Sequence, residues 1–172
     1  MKLTPDVVLM MARYNAWQNK QLQASFATLY REALTQDRGA FFGSILATAN
    51  HLLWGDSIWM ARFTGKGRPP GGFDESTRLT DSAEAWAVER FRLDGEILLW
   101  AEKLRAVDLT GPLSWYSGSI GAEVSKPRAQ CVLHFFNHQT HHRGQIHGML
   151  TAAGAKGPVS DLIFMPDEGP WL

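Results

Sequence analysis

Apolar residues recur at helical spacing in four long stretches, separated by intervals rich in glycine, proline and charge. The first covers about residues 4–31. Val7, Met10, Met11, Tyr14, Trp17, Leu22, Phe26 and Leu29 share one face, with Thr4 as cap, Pro5 in the first turn and Asp6 complementing the helix dipole. The second covers about 40–63. Phe42, Ile45, Leu46, Ala49, Leu52, Leu53, Met60 and Phe63 form one stripe; Ala47, His51, Trp54 and Ile58 form another. Two stripes predict a helix with neighbours on more than one side. The third, about 81–105, opens on Asp81 and Glu84 at capping-box spacing and carries Trp86, Ala87, Phe91, Ile97, Leu98, Ala101 and Leu104. The fourth, about 127–153, is announced by Ser125 and Pro127 and ended by Gly154, Gly157 and Pro158.

The intervals complete the architecture. Residues 36–39 are a short break, and 64–79 form a loop long enough to cross from one end of a bundle to the other. Trp115 and Tyr116 can pair with Ala122 to Val124 as a small hairpin. The tail from 159 holds two prolines, Pro166 and Pro170, and reads as irregular, although Leu162, Ile163, Phe164 and Trp171 can pack. The prediction is an all-α fold: one domain over 1–172, a four-helix bundle with at least one crossover and a hairpin between helices three and four.

Composition narrows the partners. Seventeen basic residues balance seventeen acidic ones at pI ≈ 7.0, so no overall charge draws nucleic acid or anionic lipid. No run approaches the ~20 apolar residues of a membrane span. The first stretch meets Asp6 and Arg13 before any long apolar core, which argues against a signal peptide. Cys131 is the single cysteine and has no partner for an intrachain disulfide. The expected location is the cytoplasm.

The chemistry concentrates in CVLHFFNHQTHHRGQIHGML at 131–150, which holds five of the six histidines. His134, His138 and His142 recur every four residues, a slowly drifting stripe at ~3.6 residues per turn. Two imidazoles one turn apart can share a metal ion. On a helical wheel, Val132, Phe136, Ile146 and Leu150 centre the apolar arc. His142 lies nearest to it, His138 next, His134 and His141 further round, and His147 on the opposite flank. The pair best placed to enter the bundle is therefore His138 and His142. His51 is the only histidine elsewhere, which makes it the natural third ligand. Read alone, such a histidine is more often a core or capping residue than a ligand. Three neutral imidazoles leave a fourth position for water or substrate.

A zincin needs H-E-x-x-H, and Gln139 stands where its glutamate would be, which argues against a protease. Cys131 lies ~10 Å along the axis from His138, too far to share an ion, and reads as a small buried hydrophobe. Asp56 sits on the apolar seam of helix two and is expected to pair with Arg62, Arg143 or a backbone group. Arg143 points toward the apolar arc and needs a partner, Asp56 or an acid on helix three. Gly144 predicts close approach of another helix. Tyr14, Trp17, Trp54 and Trp59 read as core packing rather than pocket lining.

Three segments together carry a family resemblance: YNAWQN at 14–19, HLLWGDSIWMAR at 51–62 and NHQTHHRGQ at 137–145. They resemble the DinB/YfiT-like family of metal-binding four-helix bundles, which is distinct from the DNA polymerase sharing the DinB name. DLIFM at 161–165 fits too, whereas the ending PDEGPWL departs from the pattern. The resemblance implies a bundle with a crossover and a three-histidine site for a divalent metal, zinc or nickel. By position its ligands are His51, His138 and His142, the set the wheel selects. It also implies a homodimer. Characterised relatives include mycothiol- or bacillithiol-dependent S-transferases and a mycothiol-dependent maleylpyruvate isomerase. The expected function is thus a metal-dependent S-transferase that activates a low-molecular-weight thiol for attack on an electrophile, with thiol and electrophile as partners. The alternatives are a non-catalytic, stress-linked metal-binding or dimeric interaction protein, and a metal-dependent hydrolase. Fold kinship alone does not choose among them, and no general base is assigned.

Overall fold

Helical periodicity becomes four long helices in the computed structural model, which describes residues 3–67 and 71–172. They are α1 (Pro5–Phe26), α3 (Ile45–Thr64), α4 (Ala83–Lys103) and α5 (Arg128–Ala152), with a short α2 (Arg31–Thr35) after the first. Strands β1 (Pro112–Ser117) and β2 (Ala122–Pro127) form the hairpin before α5, with Trp115 opposite Val124 and Tyr116 opposite Glu123. Three 3₁₀ turns lie in the connections, at Phe73–Arg78, Ala106–Leu109 and Leu162–Phe164.

Side-chain contacts fix the helix directions. Going down α3, Ala49 meets Trp86, Asp56 meets Arg90 and Phe63 meets Trp100 on α4, so α3 and α4 run parallel. Parallel neighbours need a connection that returns the full length of the bundle, and residues 65–82 make it. Along α5 the order reverses: His142 lies beside His51, His134 beside Trp59 and Phe135 beside Phe63. α1 packs on α4 and α5, and α3 packs on the same two helices from the other side.

The core contains Phe26, Leu22, Ile45, Leu52, Trp86, Ile97, Phe135, Ile146 and Leu150, each 2% exposed or less. Burial of each such side chain contributes ~1.5–3 kcal/mol. A polar layer runs through this core. Arg90 lies between two carboxylates, 2.7 Å from Asp56 and 2.7 Å from Asp94. Asn15 and Asn19 of α1 donate to Asp94 at 2.7 and 3.0 Å, and Arg143 of α5 donates to Asn15 at 2.5 Å. Burial pushes the Asp56 carboxyl up to about 6, against the pull of Arg90, and pushes Arg143 down to about 10.

Several local expectations are corrected. α1 stops at Phe26 rather than near 31; at its end the Thr28 hydroxyl donates to Ser25 C=O and the Ser25 hydroxyl to Lys156 C=O of the tail. α3 starts at Ile45 rather than 40: Gly43 takes φ +77° and Ser44 caps the helix through Ala47 N–H. The cap of α4 is Ser82, not Asp81. Asp56 pairs with Arg90, and Arg143 with Asn15, rather than with each other. Gly144 is exposed and has no close neighbour. In the tail Trp171 packs under Arg13 at 4.5 Å, while Ile163 and Phe164 stay exposed. Among the described residues no helix is long and apolar enough to cross a membrane.

Candidate metal centre

The antiparallel seam between α3 and α5 sets the site. One ligand atom from each of His51, His138 and His142 lies within 4.8 Å of the other two. His138 Nε2 and His142 Nε2 are 3.0 Å apart. Tetrahedral coordination at ~2.0–2.1 Å places donor nitrogens ~3.3 Å apart, so the set fits one ion after a small closure by His51. It is the one cluster of three or more potential ligand side chains found among the described residues.

Two of the three outer ring nitrogens are committed. His142 Nδ1 donates to Gln145 Oε1 at 2.8 Å, which leaves the Nε2 lone pair facing the cluster when the ring is neutral. His51 Nδ1 lies 3.0 Å from Ser76 Oγ, and Ser76 is fully buried on the crossover. His138 Nδ1 is buried without a partner, and its ring lies against Gly55. Burial, then the nearby His142, lowers His51 to about 4. Burial, then His142 and His51, lowers His138 to about 3. All three rings are therefore neutral donors at pH 7. Three neutral imidazoles in mutual contact suit a divalent transition-metal cation.

Aromatic rings enclose the group. Phe42 stacks on His51 at 4.0 Å and stands 5.7 Å from His142. Phe73 and Trp54 stand 5.6 and 5.7 Å from His51. The other histidines lie outside. His134 rests against Trp59, the exposed His141 stands beside His142, and His147 lies against Gly157. Cys131 is buried away from the cluster, its thiol raised by that burial. Gln139 is fully buried near Asp56. A cleft of about 1200 Å³ lies elsewhere, along α3 and α4, and none of the histidines lines it.

Sequence reasoning passed over Ser76 and Phe42 as parts of the centre. Ser76 carries no local signal, because its partner is 25 positions away. Phe42 reads as one more apolar residue of the second helix, although it sits on the turn before it. The Gln145 contact was available from sequence, since positions three apart meet on a helix.

Relatives share this architecture. The DinB family profile matches residues 3–169. Protein DinB of Bacillus subtilis strain 168 is 27% identical over 161 residues, covering 91% of each chain. The crystal structure of a DinB-like protein from Bacillus cereus ATCC 10987 matches with a TM-score of 0.68 at 20% identity, over 92% of this chain and 98% of that one. The structural likeness speaks for the fold, and the sequence match spans nearly the whole chain: this protein belongs to the DinB family.

Proposed function

We propose that His51, His138 and His142 hold one zinc or nickel ion through their Nε2 atoms, and that the protein is a metal-dependent S-transferase for a low-molecular-weight thiol. The observation that carries the reading is the convergence of three neutral imidazoles from two helices, which takes three positions of an ion and leaves a fourth. A divalent ion bound there supplies Lewis acidity that lowers the pKa of a thiol at the fourth position. The chain's own part is to place and protect. Neutral ligands preserve the ion's charge. Gln145 and Ser76 hold two rings in register, and Phe42 keeps water off the His51 face. No carboxylate joins the cluster among the described residues, which favours a thiol nucleophile over water activated by a carboxylate base.

In the net reaction the thiol proton passes to solvent, sulfur bonds to the electrophilic carbon, and the leaving group departs with the bonding electron pair. The test is tag-free protein loaded with zinc or nickel, assayed with small thiols and monochlorobimane. The expected result is one ion per chain and metal-dependent thiol consumption, both lost in His142→Ala. One ion per chain without thiol consumption, across a panel of thiols, would leave a metal-binding module and overturn the transferase.

A further inference from the structure

Three phenylalanines stand together where the cluster meets solvent. Phe41 is 79% exposed and Phe73 is 54% exposed, an unusual amount of apolar ring to leave in water. Phe41 meets Phe42 edge-on at 4.8 Å, and Phe42 lies 6.4 Å from Phe73. Phe42 is itself stacked on the His51 ring at 4.0 Å, so the patch begins in contact with the candidate metal centre.

The rings come from two separate segments, and both are held in place. Phe41 and Phe42 occupy the tip of a turn closed by Gly43 N–H to Ala40 C=O at 2.8 Å and Arg38 N–H to Gly43 C=O at 2.8 Å. Gly43, at φ +77°, permits the reversal that points the turn over the cluster. Phe73 opens the 3₁₀ turn of the crossover, where Glu75 accepts from Gly72 N–H at 2.8 Å and Ser76 meets His51 at 3.0 Å. The aromatic surface is therefore displayed rigidly from both sides of one metal ligand. Core packing does not account for Phe41, and it accounts for only part of Phe73, whose ring meets His51 and Trp54 yet is 54% exposed.

We infer that Phe41, Phe42 and Phe73 form an acceptor subsite for a flat, uncharged aromatic group on the electrophile. The ring of the substrate lies against the phenyl patch, which holds the electrophile beside His51. This inference rests on the S-transfer reading for the identity of the ligand, but not for the existence of the subsite.

The test uses the zinc-loaded full chain and two uncharged thioether product analogues in calorimetric titrations. One is S-(2,4-dinitrophenyl)-2-mercaptoethanol; the other, S-(carbamoylmethyl)-2-mercaptoethanol, lacks the ring. The dinitrophenyl compound is expected to bind at least tenfold more tightly. Phe41→Ser/Phe73→Ser is expected to abolish that preference, and Phe41→Ser alone, at a ring 79% exposed that packs edge-on against Phe42, is expected to lower it at unchanged zinc content and melting temperature. Equal binding of the two compounds, or an unchanged preference in the double variant, overturns the subsite. A dimer that dissociates in the double variant while the preference persists also overturns it, and assigns the rings to an interface between copies. Cobalt-substituted protein separates the two claims. If the ring preference depends on the phenylalanines but no thiol yields a sulfur-to-cobalt absorption band, the subsite stands and S-transfer falls. The converse result removes the subsite alone.

Discussion

At Gly55 a hydrogen atom stands where any other residue would put carbon. A Cβ built there meets His138 Cε1 at 2.8 Å, so the ring lies on bare backbone. Gly55→Ala should therefore act in two directions. Inside a helix the change favours the fold by ~0.5–1 kcal/mol, and the half-buried His138 ring can tilt to make room. The tilt removes Nε2 from the cluster. The expected outcome is a metal-free melting temperature that is unchanged or higher, with metal affinity at least ~10-fold lower in chelator competition. Full affinity in Gly55→Ala would count against His138 as a ligand. Acid should act on the same rings. An unfolded histidine takes a proton near pH 6.5, whereas in the fold burial and neighbouring histidines hold His51 near 4 and His138 near 3. Between about pH 6.5 and 4 the unfolded chain binds more protons than the native one, so stability rises with pH. The metal-free protein should melt at progressively lower temperature as pH falls from 7.5 to 5, with a shallower slope in His138→Gln. These ligands were legible to different degrees. A wheel separates His138 and His142 from His134 because all three share one helix with a clear apolar arc. His51 is reached only as the one histidine elsewhere, and the Ser76 contact, made across a crossover, leaves no periodic trace.

At the scale of the helix, periodicity finds the spans and misses their ends. Phe42 fits the apolar spacing of α3 and so extends the predicted helix, but Gly43 and the Ser44 cap start it at Ile45. The same habit hides Arg90. A pattern that counts apolar positions assigns a charged residue to the solvent face, yet Arg90 is 2% exposed and bridges Asp56 and Asp94. The hairpin was legible because its strands alternate around a glycine-bearing turn, and the register brings Trp115 opposite Val124. The buried ion group gives a prediction for α4. Arg90→Ala strands two buried carboxylates and should cost ~3–5 kcal/mol, read as a lower urea midpoint. Arg92, two residues along, pairs with Glu89 in solvent, with side chains 66% and 50% exposed. Arg92→Ala should stay within ~0.5 kcal/mol of wild type. Equal effects at the two positions would show that the buried group is not what ties α4 to α3.

For the whole molecule, the parallel run of α3 and α4 demands the long return through residues 65–82, and among the described residues Asn50 and His51 fasten that return to α3. Asn50 Oδ1 accepts from Thr80 N–H at 3.1 Å and from its hydroxyl at 2.7 Å, and Asn50 Nδ2 donates to Thr80 C=O at 2.9 Å. One residue on, His51 meets Ser76. The crossover and the candidate metal centre thus share His51, and each should steady the other. Ser76→Ala should weaken metal binding ~10- to 100-fold, the usual effect of losing the partner that orients a ligating imidazole. The coupling must also run in reverse, because linkage between binding and local order is reciprocal. Zinc at ~100 times its dissociation constant adds ~2.7 kcal/mol against any opening that dismantles the site. Chelation should therefore speed amide exchange in the turn Phe73–Arg78. Openings confined to α4 around Arg90 and Asp94 touch none of the three histidines, so exchange there should scarcely change. Equal slowing by zinc across crossover and α4 would mean that the bundle opens only as a unit, and would remove the crossover as a separately coupled element. In Ser76→Ala, at zinc levels that still fill the site, the turn should exchange as fast as in the chelated protein. Wild-type protection there would place the coupling in Phe73 and its ring contacts rather than in the serine hydroxyl.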